Sequence, residues 1–230
     1  MPGLLTGLVW GWVYVWYAVA IAFLTSLLSG RALARRFGDY AGYVLYFVAF
    51  FALMFFVPAV GGFVFQGGFG TLAAWGLTPG RAGLGAILLA AYVPFCVAVL
   101  AIAARDPEMA VMYPFARSAL QSRSRFIRYE VAYLVLYYLA WEFCFRGVLF
   151  LPLARATGLV PAIGIQMALT AALHIGHPRS EIWGTLLGGL AFGLIAYITG
   201  SVLYTTLMHA ALGIGVDCIQ WRRRRSATAA

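Results

Sequence analysis

The sequence predicts an all-α fold, a polytopic transmembrane bundle of about seven spans, on three observations. The 230 residues are 63% hydrophobic and 10% charged, with a mean hydropathy of +0.90, whereas soluble domains carry about a quarter charged residues. Apolar runs recur along the whole chain at lengths near the ~20 residues a helix needs to cross hydrocarbon. The basic residues fall mainly between those runs or after the last. No polar stretch is long enough to fold as a soluble domain, so residues 1–230 read as one integral-membrane domain.

Taken in order, the runs place helices near 7–28, 43–66, 83–104, 131–153, 160–176, 183–199 and 202–220. The first has no basic segment before it, which predicts a retained helix rather than a cleaved signal peptide. After the third run, Asp106 to Glu130 alternates polar and apolar residues. It reads as an interfacial amphipathic helix or as a solvated basic loop. The short fifth and sixth runs flank the polar turn "HIGHPRSE".

The charges orient the bundle. Arg31, Arg35 and Arg36 follow the first run; Arg105, Arg117, Arg123, Arg125 and Arg128 follow the third; Arg222 to Arg225 follow the seventh. Seven spans with the N-terminus outside put all three clusters in the cytoplasm, as the positive-inside rule asks. Only Arg81 and Arg155 then lie in outer loops. The net charge of +9 is therefore explained by a lipid bilayer and needs no nucleic acid. All sixteen basic residues are Arg. The Ala-rich, Lys-free composition points to a GC-rich bacterium, hence its inner (plasma) membrane. Cys96, Cys144 and Cys218 show no C-x-x-C spacing and read as small buried hydrophobes.

A few ionisable groups fall inside the spans, where each can cost several kcal/mol and where polar groups usually face the bundle interior. They are Glu142 and Arg146 on the fourth, His174 on the fifth, and His209 and Asp217 on the seventh, with His177 in the turn between. Glu142 and Arg146 lie one turn apart with Glu first, so they can pair directly. An interhelical ion pair that fixes packing would satisfy the same residues. Two histidines on different helices beside a buried Glu can instead converge on one polar pocket. That set is able to activate a water and stabilise an oxyanion. Glu142, His174 and His209 are also a ligand set suited to zinc.

The order "WEFCFRG", "QMALTAALHIGHPRSE", "GGLAFGLIAYITGSVLYTTLMHA" resembles the CAAX prenyl-protease and bacteriocin-processing (CPBP, ABI) family of intramembrane proteases. The resemblance spans about 133–217, within a motif-bearing core of about 131–220. It departs from the family pattern at three positions. Trp141 stands where a first Glu is expected, Thr170 where a Phe precedes the histidine, and Gly213 where an Asn or Asp follows the second histidine.

The resemblance implies a glutamic-type endopeptidase working without a cofactor. Glu142 would be the general base, held by Arg146, with His174 sharing water activation and His209 donating to the oxyanion. Asp217, His177 and Trp141 would form the surrounding layer, with Asp217 orienting His174 or His177, or else pairing with the Arg222–Arg225 cluster. The implied substrate is a peptide or protein with a membrane-embedded C-terminal segment, as in a myxosortase-like sorting branch. Two other classes stay open: a catalytically silent binding or scaffold relative, and a proton-coupled transporter. The transporter lacks support from any inverted repeat.

Overall fold

A backbone in hydrocarbon must satisfy its own hydrogen bonds, and this chain does so with helices. A computed structural model describes residues 2–229, and their side chains from 11 to 227. No strand occurs among the described residues. In chain order the helices are α1 (Pro2–Thr25), α2 (Gly30–Phe37), α3 (Asp39–Gln66), α4 (Phe69–Ala74) and α5 (Ala82–Ala103). There follow α6 (Pro107–Met112), α7 (Arg123–Thr157), α8 (Leu159–Leu173), α9 (Arg179–Thr199) and α10 (Leu203–Ala229).

Every expected run is a helix, but the runs differ in their ability to span. Four are long and apolar enough to cross a membrane: α3, α5, α7 and α9. The segments Gly11–Thr25 and Gly30–Phe37, bent by 44°, make a fifth if taken together. Against the expected seven spans, four to five among the described residues are long and apolar enough to cross a membrane. Helix α8 has 15 residues, about 22 Å of rise against a hydrocarbon core of about 30 Å. Helix α10 is long enough, but Thr205, Thr206, His209, Asp217 and its Arg cluster dilute its apolarity.

Two boundaries differ from the run lengths for local reasons. Helix α7 begins at Arg123 because the Ser122 hydroxyl accepts from the Arg125 amide at 3.3 Å, capping the first turn ahead of the apolar residues. The Asp106–Glu130 stretch divides into α6, capped by Asp106, a tight turn of helix at Arg117–Gln121 and the start of α7.

Helix α7 is the most enclosed of the long helices, and α5 the least. Around α7, Trp141, Phe143 and Phe145 pack with Val13, Tyr17, Phe50, Met54 and Trp75. A second cluster joins Phe47, Tyr129, Tyr133, Tyr138 and Ala210. Val93, Phe95, Val160, Trp183 and Leu187 are exposed, as lipid-facing residues should be. Helices α8 and α9 approach closely because small residues permit it. A Cβ on Gly189 would lie 3.1 Å from the Met167 side chain, and the Gln166 amide donates to the Gly189 carbonyl at 2.5 Å.

Candidate functional site

The enclosed segment of α7 carries both charges that an apolar run should exclude. Its backbone over Phe143–Phe150 is wound in wider i→i+5 turns, a geometry frequent at functional sites. Glu142 is fully buried and Arg146 nearly so. Arg146 Nη1 donates to Glu142 Oε1 at 3.1 Å. His209 of α10 places Nδ1 at 2.7 Å from the same oxygen. A carboxylate already paired with a guanidinium accepts hydrogen bonds, so Nδ1 carries the proton and donates. That leaves Nε2 as a basic lone pair. Glu142 Oε2 is buried without a hydrogen-bond partner. The Thr205 hydroxyl lies within reach of this carboxylate and donates to the Val202 carbonyl.

The surroundings differentiate the members of this cluster. The His209 side chain is 23% exposed while that of Glu142 is sealed. Arg146 lies over the Phe192 ring, 5.8 Å from its centroid. The Tyr138 ring is 4.9 Å from His209. Its hydroxyl occupies the space that a Cβ on Gly213 would enter. The residue four beyond His209 is therefore a glycine because α7 sends Tyr138 into its place.

His174 belongs to a second cluster. It ends α8, and its Nδ1 lies 2.7 Å from the Thr170 carbonyl. Its Nε2 is 3.6 Å from Glu181 Oε1. His177 Nδ1 is 3.1 Å from that same oxygen, and the Tyr113 hydroxyl donates to it at 2.6 Å. Glu181 is held at the start of α9, where the Arg179 amide donates to Glu108 at 3.3 Å and the Ser180 hydroxyl donates to Asp106. The Ser180 bond keeps the exposed Asp106 carboxyl below its usual range.

Trp141 touches both clusters, its ring centroid 5.4 Å from His174 and 6.3 Å from His209. The structure thus brings Glu142, Arg146 and His209 into direct contact, while the polar contacts of His174 are with the Thr170 carbonyl and Glu181. Asp217, expected beside His174 or His177 or the terminal Arg cluster, is buried against Glu130 of α7. The Thr170 carbonyl and Glu181 take the partner positions on the two histidines.

Glu142, His174 and His209 are not gathered closely enough among the described residues to form a ligand group. Glu142 Oε1 is committed to Arg146 and His209, and His174 turns its free nitrogen toward Glu181. Among the described residues, the His, Cys, Asp and Glu grouping with ligand atoms within 4.8 Å of one another is His174, His177 and Glu181. Sequence reasoning had left Glu181, Tyr113, Tyr138 and Thr205 out of the site. The i, i+4 spacing of His177 and Glu181 was the one available signal for this group.

Residues 124–214 match the family model described as Type II CAAX prenyl endopeptidase Rce1-like. The match takes in Glu142, Arg146, His174, His177, Glu181 and His209, and leaves out Tyr113 and Asp217. No curated protein and no solved structure matches the chain.

Proposed function

With its Rce1-like CAAX endopeptidase segment at residues 124–214 as the premise, we propose that this integral membrane protein is an intramembrane endopeptidase hydrolysing peptide bonds at the Glu142–His209 pair. One observation carries the reading. A sealed, Arg-held carboxylate accepts the Nδ1–H hydrogen bond of a histidine whose ring is partly exposed. This arrangement fixes the tautomer of His209, orients its ring, and stabilises the imidazolium that forms when Nε2 takes a proton.

The step balances with water alone. Water attacks the scissile carbonyl carbon as Nε2 of His209 accepts its proton, giving a tetrahedral intermediate. Collapse breaks the C–N bond, and the same proton passes from Nε2 to the leaving nitrogen. His209 is then the catalytic residue, while Glu142 and Arg146 are positioning residues. Glu142 is fully buried, so in this reading it acts as the partner of the base rather than as the direct base. The pair supplies its own proton acceptor, and this step needs no metal.

The substrate in this reading is a peptide or protein whose membrane-embedded C-terminal segment enters beside α7 and α10. The expected setting is a bacterial plasma membrane, with the N-terminus outside and the C-terminus cytoplasmic. The test is cleavage of a panel of single-span peptides in proteoliposomes, followed by mass spectrometry. Wild type should release defined fragments and Glu142→Gln should lose at least about 100-fold in turnover, the scale of a positioned acid–base group. Equal turnover by a folded Glu142→Gln variant would overturn the assignment.

A further inference from the structure

From the second cluster we infer a Zn²⁺ site formed by His174 Nε2, His177 Nδ1 and Glu181 Oε1, distinct from the Glu142–His209 pair and independent of the protease reading. Its first support is tautomer chemistry. A carbonyl only accepts, so the 2.7 Å contact to the Thr170 carbonyl makes His174 Nδ1 the N–H. In the neutral ring Nε2 is then a lone pair, and it faces a carboxylate oxygen at 3.6 Å. Two electron-rich atoms aimed at each other need positive charge between them, and a metal ion supplies it.

The spacing is the second support. Zinc–ligand distances of about 2.0–2.2 Å put adjacent ligand atoms of a tetrahedron about 3.3–3.6 Å apart. The contacts from the two histidine nitrogens to Glu181 Oε1 are 3.6 and 3.1 Å, so small ring rotations close the site.

The outer partners have the form that ligating groups require. The Thr170 carbonyl fixes His174, and the Tyr113 hydroxyl donates to the Glu181 carboxylate. Glu181 Oε2 is buried without a hydrogen-bond partner. It leaves the carboxylate a second oxygen for the ion.

An entry path completes the set. A cleft of about 540 Å³ that reaches His177 is lined by Arg31, Glu108, Arg117, Gly176, His177 and Pro178. Arg117 turns its guanidinium to the Ala110 and Val111 carbonyls, while Glu108 and His177 face the cleft. Three protein ligands leave a fourth position for water. A bound ion would pin the end of α8 to the start of α9 and hold the His174 ring beside Trp141.

The experiment uses the full chain, purified without a histidine tag, stripped of metal and titrated with Zn²⁺. Wild type should bind one equivalent and melt at a higher temperature when loaded. His177→Ala and Glu181→Gln should each weaken binding at least tenfold, whereas His209→Gln should bind as wild type does. If either cluster variant fails to fold, Co²⁺ loading of wild type decides the matter. A four-coordinate site gives intense visible d–d bands, and an adventitious surface ion gives the weak bands of a hydrated one. Metal well below one equivalent in wild type, unchanged affinity in folded His177→Ala and Glu181→Gln, or loss of binding in His209→Gln would each overturn the site.

Discussion

Glu142 and Arg146 explain each other at the level of single residues. Alone at this depth either charge costs several kcal/mol; together, and with His209 on the same oxygen, each is compensated. Removing one partner leaves the other charge buried and unpaired. Glu142→Ala should therefore destabilise the fold by about 3–5 kcal/mol, and Glu142→Gln by less because its amide oxygen still accepts from Arg146. Denaturant titration in detergent measures both, and equal losses would show that Arg146 reads the charge alone and gains nothing from the retained amide oxygen. The pair was legible in sequence because i, i+4 spacing within one helix needs no tertiary information. Glu181 was not: it sits in a polar turn, and it becomes part of a site only when α9 sets it against His174 and Tyr113.

At the level of elements, the contact between α7 and α10 builds the site, and Gly213 is its most sensitive point. Restoring an Asn there drives its Cβ into the space of the Tyr138 hydroxyl. Gly213→Asn should cost roughly 1–3 kcal/mol, the usual scale of overpacking, and Tyr138→Ala in the same chain should recover part of that loss. A non-additive double-mutant cycle would report this contact; strict additivity would contradict it. Run length was enough to find the helices, since about 20 apolar residues leave few alternatives in lipid. It did not reveal the early start of α7, which depends on the Ser122 cap. Nor did it reveal that the Trp141 ring contacts both histidines, which depends on how α8 and α10 pack against it.

Across the whole molecule, the positive-inside rule applied to the three Arg clusters leads us to propose that the C-terminal Arg222–Arg225 segment lies on the cytoplasmic side. A single accessible cysteine at Ser226, in a chain with its native cysteines replaced, should react with an impermeant maleimide in inverted vesicles and not in right-side-out ones. The reverse pattern would invert the topology.

The central claim is that His209, held by Glu142, moves the proton in peptide hydrolysis. Its most direct test compares wild type with His209→Gln in proteoliposomes, using a peptide that wild type cleaves and confirming by thermal melting that both proteins are folded. The structure predicts a loss of about 10²–10⁴ in turnover with substrate affinity little changed, because the ring acts on water rather than on the peptide's anchor. Turnover within a few-fold of wild type in a folded His209→Gln protein would contradict the account.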